Sequence, residues 1–255
     1  MKIKSYKKLN GSKYKIVLDK MELITYEDLI LKYKLLLKKD ISLDDINTIL
    51  EENRFYEAYY LALKYISTKM RNKKEIRGYL KRKEVEDLII SDVIDKLTLQ
   101  NLLNDKAYIK AFINDKIYLN NYGPYKIKQE LINSEMDCNE IDNYLTTIGE
   151  DIWINQINKL IKKKIATGKK LSSYKLKSKI INDLYNLGYE KSMIEQELIK
   201  YNLDEANALE KEYQKAYKKY SKQYEGDTLF NNIKTYLYKK GFSSENIIDY
   251  INKNN

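Results

Sequence analysis

Residues 180–198 read IINDLYNLGYEKSMIEQEL, with apolar positions at Ile180, Leu184, Tyr189, Ile194 and Leu198. Steps of four and five residues describe two short amphipathic helices that turn their apolar sides to one core, with Gly188 between them. The same grid recurs at Ile127, Leu131, Met136, Ile141 and Leu145, and again at Ile233, Leu237, Phe242, Ile247 and Ile251. An earlier copy reads Ile76 and Leu80, then Leu88, Val93 and Leu97, with three extra residues between its halves. On that alignment the central anchors Leu88, Met136, Tyr189 and Phe242 stand 48, 53 and 53 residues apart. A helical pattern repeated at that period is one supersecondary unit used four times, each copy too small to bury its apolar face alone.

Each unit reads as a long first helix, a middle helix carrying the first apolar pair, and a short third helix carrying the last. The first helices are expected at Ala58–Lys69, Asp105–Tyr118, Asp151–Ala166 and Asp204–Tyr220. Pro124, the single proline, suits helix position N1, where its missing N–H costs nothing. Gly188 and Gly241 suit the left-handed residue that ends a helix. Glu135 stands at that position in the second unit, so a differently shaped end is expected there. Residues 1–24 differ from the rest: two β-prone runs flank Asn10-Gly11, and a third short strand is expected near Glu22–Ile24. Thr25-x-x-Asp28 and Ser42-x-x-Asp45 then resemble helix caps. The expected fold is mainly α, with tandem three-helix modules forming an elongated, curved array behind a small N-terminal β-hairpin and α element. The expected divisions are 1–53, 54–101, 102–149, 150–202 and 203–255.

Composition narrows function by exclusion. The 255 residues include no histidine and one cysteine, which removes the commonest general base and any Cys/His zinc site. The eight glycines form no phosphate-cradling loop. Catalysis, a metal and a cofactor are therefore not expected. Trp153 and Cys138 read as core fillers. No apolar run approaches the ~18 residues of a membrane span, and the basic N-terminus lacks a secretory apolar region. A cytoplasmic, monomeric chain without membrane contact is expected. The 25 tyrosines, alongside abundant Lys, Asn and Ile, match AT-rich coding and are not by themselves a base-stacking surface.

Charge is distributed unevenly. The net charge is +10, which attracts an anionic partner. Between Ile152 and Asn182 lie nine lysines and no acidic residue. A second basic run spans Lys69 to Lys83 with one Glu75, the N-terminal hairpin adds more lysines, and Gln129 to Asn158 holds acidic residues and no basic one. Most single lysines are solvated helix faces, but nine like charges over two helices and a loop repel one another unless something anionic lies near. The candidate contacts are Lys162, Lys163, Lys164, Lys169 and Lys170, followed by Arg71, Lys74, Arg77, Lys81 and Arg82.

Ala58-x3-Ala62-Leu63-x-Tyr65, followed by Lys69-x-Arg71-Asn72-x-x-Glu75-Ile76-x3-Leu80, resembles the opening repeat of the RecX family, regulators of the recombinase RecA. Asn104-Asp105, Tyr108, Phe112-Ile113 and Lys116, then Tyr122-Gly123-Pro124-x-x-Ile127-x-x-Glu130-Leu131, extend the resemblance over residues 55–148. The remaining parts fit the long form found in low-GC Gram-positive bacteria. Asn72 stands where the family has serine, Ile109 where it has alanine, and Ser134-Glu135 where it has Lys-Gly. The resemblance implies a non-enzymatic regulator that binds the RecA filament and mostly inhibits its ATPase, recombination and strand-exchange activities, with single- or double-stranded DNA as a further partner. A sequence-independent DNA- or RNA-binding helical repeat without a RecA role shares the same charge pattern. So does a scaffold that recognises acidic proteins.

Overall fold

Asn10-Gly11 closes the N-terminal hairpin as its residue types demand, with Gly11 at φ +68°. In the computed structural model, which describes residues 1–254, strands β1 (Ile3–Lys8), β2 (Lys13–Leu18) and β3 (Glu22–Tyr26) form one antiparallel sheet in that order. The rest is helical. The described residues form two compact bodies, residues 1–108 and 109–254.

In the first body, Ile16, Leu18 and Leu23 of the sheet pack with Leu29 and Ile30 of α1 (Glu27–Lys32) and with Ile46 and Ile49 of α2 (Leu43–Ile66). Ser42 caps α2 by accepting from the Asp45 amide at 2.9 Å. Thr25 does not cap α1. Its buried hydroxyl donates to Asn53 at 2.9 Å instead, and α1 starts after Tyr26 with no side-chain cap. The 24-residue α2 is about 36 Å long and passes unbroken through positions 53 and 54, where a division was expected. No Gly or Pro interrupts it, and its second half supplies Ala58 and Ala62 to the next core.

That core belongs to α2, α3 (Lys73–Lys81) and α4 (Asp87–Leu99). Here the expected register is corrected: Leu88 is 75% exposed, and the anchor is Val85, whose amide donates to the Leu80 carbonyl at 3.2 Å. The same bond joins Met136 to Leu131 at 3.1 Å, Tyr189 to Leu184 at 3.2 Å and Phe242 to Leu237 at 3.3 Å. The residue before each anchor is left-handed: Glu84 at φ 59°, Glu135 at 63°, Gly188 at 91° and Gly241 at 90°. One helix-ending motif is thus used four times, and Glu135 adopts the glycine's conformation rather than a different one. The first grid is Ile76, Leu80, Val85, Ile90 and Ile94, with no insertion. Both glutamates bear strain that glycine would not. Replacing the exposed Glu84 by glycine is expected to raise the melting temperature by about 2–4 °C, the equivalent of about 1 kcal/mol for a chain of this size. A thermal melt showing no rise would remove the strain argument.

The second body holds three further modules: α5 (Asp105–Tyr118, beginning in the first body), α6 (Pro124–Asn133) and α7 (Cys138–Leu145); α8 (Glu150–Thr167), α9 (Ser173–Asn186) and α10 (Lys191–Ile199); α11 (Ala206–Tyr220), α12 (Gly226–Lys239) and α13 (Ser244–Asn254). Pro124 occupies N1 of α6. Neighbouring modules join in a repeated way, with the start of one middle helix docked on the glycine turn of the next. The Gly123 amide donates to the Leu187 carbonyl at 2.7 Å, and the Tyr125 amide to the Gly188 carbonyl at 3.1 Å. At the following joint, the Ser172 hydroxyl donates to the Lys240 carbonyl at 3.0 Å. Trp153 is 7% exposed and meets Tyr189 edge-on, as a core residue should. Cys138 is exposed instead of filling the core, because it opens α7 on the solvent side.

Candidate functional site

The third module carries the longest basic stretch, and its local structure explains how like charges are held together. Helix α8 ends at Gly168, where an added Cβ would lie 2.3 Å from Leu176; the absence of a side chain lets α9 close over the helix end. Lys164 sits in the last turn, where the helix dipole favours a cation. Ser172 caps α9, accepting from the Lys175 amide at 3.4 Å, and its hydroxyl is tied to the fourth module as well. The connecting loop is therefore pinned at both ends. Behind it, the α8–α10 contact is fixed by a polar set around the buried Glu197. Asn158 donates to Glu197 at 2.8 Å, Lys200 donates to it at 2.5 Å, and Tyr201 donates to Asn158 at 2.8 Å. The Lys200 ammonium first, and the Asn158 amide second, hold the Glu197 carboxyl below the usual carboxylate range.

This frame encloses a cavity of about 220 Å³ between the end of α8, the loop and α9. Lys164, Lys170, Lys179 and Thr167 line its polar side, and Leu176 and Ile180 its apolar side. Lys164 is half-buried and pairs with Asp183 at 2.5 Å, so part of its charge is used inside the module. Lys170 and Lys179 are exposed and have no anionic partner among the described residues. Lys164, Lys170 and Lys179 thus line one small concavity, with the Asp183 carboxylate paired to the first of them.

The structure thus brings Lys164 and Lys170 together and adds Lys179, which the candidate set omitted. Lys179 lies three residues after Leu176 and directly before Ile180, beside the buried stripe that faces α8, so its place in the lining follows from how α9 packs and not from the charge run. Lys162, Lys163 and Lys169 are exposed but lie outside the cavity lining.

In the first module the candidates divide. Arg71 is internal: its side chain is 13% exposed, donates to Glu75 at 2.9 Å and lies 3.8 Å over the Tyr65 ring. Tyr65 stacks in turn on Tyr79 at 4.2 Å. Arg71 therefore props α3 against α2 and is removed from the accessible set. Lys81 pairs with Asp87 at 2.9 Å, a surface pair of small energetic worth. Lys74, Arg77 and Arg82 are exposed.

Comparison with known proteins places this arrangement. A family model described as the first three-helix domain of RecX matches residues 58–97. The regulatory protein RecX of Lactococcus lactis is 38% identical over 90% of this chain and 88% of its own length. That of Halalkalibacterium halodurans is 33% identical over 89% and 87%. This chain belongs to the RecX family. Among solved structures, a regulatory protein RecX superposes with a TM-score of 0.67 over 78% of this chain and 99% of that one, at 22% identity. RecX from Lactobacillus salivarius superposes at 0.53 over 58% and 97%, at 23% identity. The helical modules are thus the RecX fold, and the family assigns the chain a regulatory role. Among the described residues of this RecX protein, no helix is long and apolar enough to cross a membrane.

Proposed function

We propose that this chain binds the nucleoprotein filament of RecA and restrains its ATP hydrolysis and strand exchange without catalysing a reaction of its own. The observation that carries the reading is the three-lysine cavity on a RecX chain: it offers phosphate chemistry on a rigid module. Several modules in one chain touch an extended partner at several points, and linked weak contacts gain strength through effective concentration. Bridging neighbouring protomers of the filament would slow its growth and turnover, which explains inhibition without an active site. A RecA partner also places the work in the cytoplasm. The accessible contacts proposed are Lys162, Lys163, Lys169, Lys170 and Lys179 in the third module, with Lys74, Arg77, Lys81 and Arg82 in the first.

A titration of RecA-catalysed ATP hydrolysis and strand exchange tests this directly. Both are expected to fall as the protein approaches stoichiometry with RecA; unchanged rates at that ratio would end the proposal. The same cavity suits phosphates of free nucleic acid, which supports a second reading without RecA. Salt separates the two, because phosphate contacts to naked DNA weaken steeply as counterions accumulate. Filament binding that persists in salt high enough to release free DNA is the result expected of the regulator.

A further inference from the structure

The joint between the second and third modules leaves a cleft of about 590 Å³ that the function above does not use. Tyr125, from the first turn of α6, and Tyr185, from the last turn of α9, both line it and are 59% and 62% exposed. Gln129 and Asn186 lie in the same wall. None of these four side chains has a hydrogen bond, ion pair or ring contact among the described residues. The backbone that carries them is held, because backbone bonds of the joint fix the start of α6 against the end of α9. The Tyr125 amide is bonded to the Gly188 carbonyl, and the floor residue Tyr189 is buried, with its hydroxyl donating to the Asn121 carbonyl at 3.2 Å. Lys126 and Lys191 line it as well. Lys126 lies 4.0 Å over the Tyr122 ring, and Lys191 is 3.7 Å from Glu195 in an exposed pair. Glu190 also lines the cleft, accepting from Ser192 at 2.6 Å, so lysine charge alone does not define it. Two unpartnered rings with free amides beside them do.

Aromatic faces stack on unpaired bases of any sequence, a contact that the stacked bases of a duplex do not offer; amides hydrogen-bond to base edges in either form. A net charge of +10 and nine lysines between Ile152 and Asn182 supply attraction for the accompanying phosphates. We propose that the cleft between Tyr125 and Tyr185 takes an unstacked base of a single-stranded nucleic acid, with Gln129 and Asn186 contacting its edge. The inference rests on the reading that the chain meets nucleic acid, and it adds a preference for single strands over duplex.

The test compares a fluorescent oligothymidylate with a duplex of equal length at low salt. Tyr125→Ala/Tyr185→Ala is expected to weaken single-strand binding about five- to a hundred-fold while leaving duplex binding unchanged. Tyr125→Phe/Tyr185→Phe, which keeps the rings, is expected to bind like the parent. An oligonucleotide carrying 5-iodouracil should cross-link on irradiation to Tyr125 or Tyr185. The inference is overturned if the alanine variant binds the single strand like the parent, if single strand and duplex weaken equally, or if the cross-links map elsewhere. It is also overturned if only RecA-filament binding falls, since the cleft would then hold a protein side chain. Absence of parent binding to either nucleic acid would remove the underlying reading too, which keeps the two failures distinct.

Discussion

Gly188→Ala should lower the melting temperature more than an equivalent change at any other left-handed glycine of the chain. Two penalties coincide at this residue. At φ +91° a side chain meets the left-handed backbone cost, about 1 kcal/mol. The added Cβ would also lie 2.4 Å from the Lys126 amide nitrogen and 2.5 Å from the Lys126 Cβ. Neither belongs to a flexible side-chain end, so relief requires α6 to move away from the turn. Such movement would break the Tyr125 amide bond to the Gly188 carbonyl and the Gly123 amide bond to the Leu187 carbonyl. Overpacking and lost buried bonds together give an expected loss of about 2–4 kcal/mol, or about 5–15 °C. Gly226→Ala is the control, because Gly226 is also left-handed at φ +53° but has nothing within 4 Å of an added Cβ. It should lose only the backbone part. Gly241→Ala should fall between them, since its nearest neighbour is the Ser172 hydroxyl at 2.8 Å, which can rotate at the cost of its bond to Lys240. Equal melting temperatures for Gly188→Ala and Gly226→Ala would show that the joint yields freely, contrary to its close backbone packing.

This joint was half legible in the sequence. Gly188 could be placed at a helix end from spacing and residue type, because the left-handed requirement is local. That Gly123 approaches the same backbone from another module, with an added Cβ 2.4 Å from the Gly188 carbonyl carbon, is a tertiary fact with no local signature. The apolar grid carried the helices correctly where a glycine marked the turn and also in the second module, where Glu135 takes the left-handed position. It slipped only in the first module, where Glu84 takes that position. Glutamate gives no turn signal, and there a second apolar residue, Leu88, was available to displace Val85 as anchor. The unbroken α2 was missed for a related reason: a cap signature at Ser42 and a new apolar register near Ala58 looked like two helices, although no breaker separates them.

The candidate site divides along the same line. A block of lysines without acidic neighbours is visible in one dimension, but which of them converge depends on how α9 folds back over Gly168. Hence Lys164 and Lys170 were anticipated, while Lys179 was found only in three dimensions. Arg71 shows the opposite error, since charge count ranked it with its neighbours although Tyr65 and Glu75 hold it inside. Tyr125 and Tyr185 were lost among 25 tyrosines, because only exposure in a shared cleft sets them apart.

The second large effect follows from that convergence. Lys170→Glu/Lys179→Glu should reduce binding to a nucleic-acid backbone by about a hundred-fold at moderate salt, and reduce the slope of log affinity against log salt by about two. Each exposed ammonium in the cavity can neutralise one phosphate, and reversal adds repulsion where attraction was lost. Lys162→Glu/Lys163→Glu changes the same net charge on the same helix block but outside the cavity, so it should weaken binding less. Lys164 is left intact in both variants, because its loss would strand Asp183 and loosen α8 from α9. All four substituted side chains are exposed, so helical circular dichroism and the melting temperature should match the parent. If the outer pair costs as much affinity as the inner pair, the third module attracts phosphate only through its overall field, and the cavity has no special part. If the inner pair alone abolishes both DNA binding and inhibition of RecA, one concavity serves both, and the regulator meets the filament through its nucleic acid as well as its protein.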